Sequence, residues 1–76
     1  MTIGQRKALR IIYGIPGIAP RLFAELFWED APETTAKQRA AGAILANLRR
    51  HGWICDAESG MGVELTVLGL SELGMR

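Results

Sequence analysis

The residues with the clearest chemical potential in this chain are arginines. Along 36–50, a helical wheel puts Arg39, Ala43, Ala46 and Arg50 on one side, with Ala36 and Asn47 flanking them. A guanidinium can bind a guanine edge through two hydrogen bonds, and an alanine methyl can touch a thymine methyl. On a helix, Arg39 and Arg50 would stand about three turns apart. Small residues between them would let the helix approach base edges closely. Lys37, together with Arg6, Lys7 and Arg10 near the N-terminus, could neutralise phosphates.

The other reactive side chains form no constellation. His51 is the only histidine. It falls where a helix should end, and a cation there is favourable beside the helix dipole. Cys55 is the only cysteine and lies in a strand-like run, so core packing is the expected role. Together the two cannot complete a zinc site, which needs three or four protein ligands. Ser59 and Ser71 have no base nearby in sequence. The glycines at 14–17 and 60–62 match no phosphate-binding loop. The sequence therefore predicts a protein that is not an enzyme and needs no cofactor.

Capped, periodic segments must position the arginines. Thr2 followed by Gln5 is a capping-box pattern for a first helix over 3–13, with Leu9, Ile12 and Tyr13 at helical spacing. Gly14 and Pro16 stop that helix. Ile15 and Ile18 should be buried in the connection, and Ile18 could bridge to a sheet. Pro20 suits the start of a second helix, whose inward face would hold Ala19, Leu22, Phe23 and Leu26. That helix should end at Phe27, with Trp28 folded back onto the core. The alternative leaves Trp28 exposed as an anchor for a protein interface.

Residues 29–34 form the linking loop. Thr35 and Gln38 make a second capping-box candidate, for a helix buried through Ala41, Ile44, Leu45 and Leu48. Gly42 lies to one side, where it could admit another helix. Gly52 ends this helix. Two strands at 53–57 and 63–65 follow, joined by a turn at 58–62. Thr66 can then cap a last short helix that places Leu70 and Leu73 on the core before Gly74. The expected core is Leu9, Ile12, Leu22, Leu26, Ile44, Leu45, Leu48, Ile54, Leu65 and Leu70, with Trp53 under the sheet.

Helix, glycine stop, hairpin and short helix in that order resemble the second half of a winged helix-turn-helix domain. Leu45, Leu48, Gly52 and Ile54 look like the recognition-helix exit of bacterial regulators of the MarR and PadR kind. Leu65, Thr66, Gly69 and Leu73 look like the close of their wing. The resemblance implies an α+β fold, with a three-helix core, a two-stranded β-hairpin wing and a short C-terminal helix. It also implies double-stranded DNA binding, with the third helix in the major groove, as in a small bacterial or phage transcriptional regulator. Arg39, Ala43, Asn47 and Arg50 would then face bases. Three features depart from the pattern. The wing carries Asp56, Glu58 and Glu64 and no Lys or Arg, the loop before the third helix is acidic, and the long dimerisation helices of those regulators are missing.

Composition limits the remaining classes. The 76 residues suit one small domain, 1–76, and 49% apolar content suits a globular chain. The net charge of +1 conceals alternating blocks. Residues 1–21 and 35–50 are basic without acids; 22–34 and 51–75 are acidic without Lys or Arg. Such segregation can build oppositely charged surfaces. A homodimer or a second protein is therefore an expected partner. The alternative function is a non-enzymatic module that binds a charged protein and no DNA. With a lone cysteine and no long apolar run, the chain is expected in the cytoplasm, away from membranes.

Overall fold

The computed structural model describes residues 1–28, 35–58, 60 and 62–74; at 35–38 it describes the backbone alone. The expected linking loop at 29–34, the turn residues Ser59 and Met61, and the Lys37 side chain lie outside the described residues. The order of elements is α1 (Ile3–Gly14), α2 (Pro20–Phe27), α3 (Thr35–Arg50), β1 (Ile54–Asp56), β2 (Val63–Leu65) and α4 (Val67–Leu73). The result is a small α+β fold of four helices and one antiparallel hairpin.

Four helix ends have a local chemical cause, whereas α1 runs through Gly14, one residue past its expected stop. At α1, the Thr2 hydroxyl accepts from the Gln5 N–H, and the Gln5 side chain accepts in return from the Thr2 N–H. This reciprocal pair satisfies two amide groups that a helix start would otherwise strand. Pro20 opens α2, where its missing N–H leaves no bond unmade. At the end of α3, the Gly52 N–H donates to the Arg49 carbonyl and the Trp53 N–H to that of Leu48. Gly52 has φ +77°, so the pattern is a Schellman close that turns the chain directly into the hairpin. Thr66 caps α4 by accepting from the Gly69 N–H, and its own hydroxyl donates to the Gly52 carbonyl at 2.6 Å. One side chain thus joins the end of α3 to the start of α4.

The hairpin pairs Ile54 with Leu65, Cys55 with Glu64 and Asp56 with Val63. Its other side is tied to the α1–α2 connection. The Val63 N–H donates to the Ile18 carbonyl, and the Gly17 N–H donates to that of Val63. This is the Ile18 bridge that the sequence allowed. Gly62 makes it feasible, because a Cβ there would overlap the carbonyls of Gly17 and Ile18.

The core gathers Ala8, Leu9 and Ile12 of α1, Phe23 and Ala24 of α2, and Ala41, Leu45 and Leu48 of α3. Ile18, Trp53, Ile54, Val63 and Leu73 complete it. Leu26, Ile44 and Leu65 are only partly buried against this cluster. Leu22 and Ile15 depart further from expectation, each at 40% exposure. In α2 the packed direction runs through Phe23, Ala24 and Phe27, which turns Leu22 outward. Gly42 also differs from its expected role, since nothing lies within 4 Å of where its Cβ would be. The close helix approach occurs instead at Gly69, where a Cβ would overlap the Trp53 carbonyl. Thr35 opens α3, and the side chains of the expected Thr35–Gln38 capping box lie outside the described residues. Among the described residues no helix is long and apolar enough to cross a membrane.

Candidate nucleic-acid interface

The candidate site is the outer face of α3. Its inward face is fixed by Ala41, Leu45 and Leu48, all buried. Helical geometry then turns Arg39, Ala43, Ala46 and Arg50 outward, and all four are exposed. The helix has 16 residues and no acid among them. At 1.5 Å per residue, Arg39 and Arg50 stand about 16 Å apart along the axis.

Asn47 sits at the edge of this face, one turn beyond Ala43 and three residues before Arg50. It is half-buried, and its Oδ1 accepts from Gln5 Nε2 at 2.8 Å. That bond brings the first turn of α1 against the middle of α3. Thr2, Gly4, Gln5, Ala43, Ile44 and Asn47, with Phe27, line a groove of about 320 Å³ there. By sequence pattern, Gln5 has a capping role only. Its second role joins residues 42 positions apart, and no local pattern announces such a contact.

The other basic residues do not all share the arginine face. Lys7 lies over the Phe27 ring at 4.9 Å from the centroid, toward α2. Arg6 and Arg10 are exposed on α1. No described contact joins them to α3. At the C-terminal end of α3, Arg49 pairs with Asp56 at 2.8 Å. This ion pair, which sequence spacing did not suggest, offsets one of the hairpin acids. No family model, curated protein or solved structure matches the chain.

The remaining candidates take structural positions. Trp28 caps the end of α2, half-buried, with its ring edge-on to Phe27 at 4.7 Å. It therefore packs against the core and is not the exposed anchor that one sequence reading offered. His51 lies just past α3, and its ring stacks on that of Trp53 at 4.3 Å. Trp53 itself is buried beside the sheet. Cys55 is free and half-buried on β1. Among the described residues, no group of three or more His, Cys, Asp or Glu could hold a metal ion.

Proposed function

We propose that this chain is a sequence-specific double-stranded DNA-binding protein, a small transcriptional regulator of bacterial or phage type. In this reading the fold is a winged helix-turn-helix, and α3 enters the major groove. One observation carries the proposal: an acid-free helix whose exposed face sets two alanines between two arginines and leaves both arginines in solvent. Arginine at each end can reach guanine, while Ala43 and Ala46 let the helix axis approach the base edges. The hairpin is not the phosphate contact in this reading. It presents Glu58 and Glu64, and its Asp56 is held by Arg49. Arg6 and Arg10 are the better candidates for backbone phosphates.

Gel-shift titration on random and selected duplexes, over a range of salt, tests the reading. Arg39→Ala should weaken binding by about 1–3 kcal/mol and relax preference at one base position. Arg50→Ala should do the same at a second position. Glu58→Gln should not weaken binding. Full affinity in the Arg39→Ala/Arg50→Ala double variant would refute the assignment. A specific site normally needs two half-sites, so we also propose a homodimer on DNA, which light scattering of the complex would weigh.

A second reading is favoured by one feature. Ile3, at 90% exposure, and Val67, at 62%, leave apolar surface uncovered. Such surface suits a protein partner. Absence of duplex binding by the wild type at low salt would favour this reading over the first.

A further inference from the structure

We infer that Gln5 is a positioning residue that fixes the direction of the Asn47 amide, so that Asn47 offers a hydrogen-bond donor at the α3 face and selects a base that accepts. The inference rests on the DNA-binding reading of α3, and it concerns what one position of that surface can recognise.

The argument is one of polarity. A backbone N–H can only donate. The Thr2 N–H points at one end of the Gln5 amide, 2.8 Å away, so that end is the oxygen. The other end is Nε2, which carries two hydrogens and accepts nothing. Nε2 lies 2.8 Å from the Asn47 amide, so the atom facing it must be Oδ1. The Asn47 amino group, Nδ2, is therefore the end turned away from Gln5. A backbone donor at the start of α1 sets the polarity of a side chain on α3 through two amides.

The surroundings make this polarity matter. Asn47 is half-buried on a groove that Phe27, Ala43 and Ile44 line with carbon. A donor turned toward a base there is poorly compensated if the base offers only another donor. In the major groove, guanine offers N7 and O6, adenine N7 and thymine O4; cytosine offers only its N4 amino group. One lone pair of Oδ1 is already used by Gln5, which disfavours the two-bond asparagine–adenine pairing. The wild type should therefore exclude cytosine at the base facing Asn47.

Gln5→Glu tests this without removing the cap. Glutamate at this position still accepts from the Thr2 N–H. Its second oxygen can only accept, so Asn47 must turn, donate Nδ2 to it and present Oδ1. Cytosine, excluded by the wild type, should then be admitted at that one position beside adenine, whose N6 amino group also donates, a change on the order of tenfold in the relative affinity for cytosine. Asn47→Asp keeps the bond from Gln5 and presents a carboxylate oxygen, so it should show the same gain. Gln5→Ala should make the position permissive.

The experiment is selection from a random duplex library with the full chain and these three variants, beside side-chain amide NMR of the free wild-type protein. The expected result is a gain of cytosine at the same single position in Gln5→Glu and Asn47→Asp, with unchanged preferences elsewhere. Identical enriched sequences for all four proteins would overturn the inference. So would nuclear Overhauser contacts placing the Asn47 amino group against Gln5 in the wild type. If no duplex is enriched by any of the four, the DNA reading fails and the recognition claim with it. An NMR spectrum showing the stated polarity would then locate that failure in the ligand and not in the amide geometry.

Discussion

Replacing glycine by alanine should have opposite signs at two helical positions of this chain. Gly42 lies within α3, exposed, with nothing within 4 Å of its missing Cβ. Alanine there gains helix propensity alone, about 0.8–1 kcal/mol. Gly69 lies in α4, where a Cβ would collide with the Trp53 carbonyl oxygen, a backbone atom that no side-chain rotation can move. The Gly69 N–H is also the donor to the Thr66 cap, and Thr66 in turn binds the Gly52 carbonyl. Forcing α4 away from Trp53 therefore strains two joints together. Overpacking typically costs about 1–3 kcal/mol, and an immovable neighbour argues for the upper half. After subtracting the propensity gain, Gly69→Ala should destabilise by about 1–2 kcal/mol. In a chain of this size 1 kcal/mol moves the midpoint by about 4–8 °C. Circular dichroism melts of the two variants should thus separate on either side of the wild type. A Gly69→Ala protein as stable as Gly42→Ala would refute the close approach of α4 to Trp53.

Three further outcomes are expected. Leu45→Ala should destabilise by about 2–5 kcal/mol in urea unfolding, whereas Leu22→Ala, at an exposed site, should lose far less; equal losses would count against the packing direction of α2. Thr66→Ala should cost about 1–2 kcal/mol through the lost cap, and a melt identical to wild type would contradict the Thr66 bridge between Gly52 and Gly69. Asp56→Asn should change stability by less than about 1 kcal/mol, because both partners of its ion pair are exposed; a larger loss would mean the pair is part of the hairpin's foundation.

The parts that were legible in sequence are those governed by local chemistry. Thr2 with Gln5, Pro20, Gly52, Thr66 and Gly74 each mark an element end by cap or conformation, and the structure uses each there. The β2 span also follows from the sequence, and the Ile18 bridge is one that the sequence allowed. The orientation of α2 was not legible. Its eight residues include Leu22, Phe23, Ala24, Leu26 and Phe27, so almost any face reads as apolar. Only its packing against the rest of the core decides that Phe23 and Ala24 go inside. At the candidate site, the outward set of α3 could be read from helical period, given Ala41, Leu45 and Leu48. The contacts that qualify it could not. Gln5 to Asn47 and Arg49 to Asp56 depend on how α1 and the hairpin dock on α3, which no pattern in either segment encodes.

The tie between Val63 and the Gly17–Ile18 backbone has a consequence for how copies of this chain can stick to one another. β2 has partners on both sides at Val63, so its outer edge is interrupted there and the continuous open rim of the sheet belongs to β1. That rim is three residues long and ends at Asp56, a charge that a neighbouring strand would have to desolvate. Short, charge-tipped edges are poor templates for strand addition. Contact between two copies is thereby steered to helical surfaces. The chain can be concentrated without its sheet seeding fibrils.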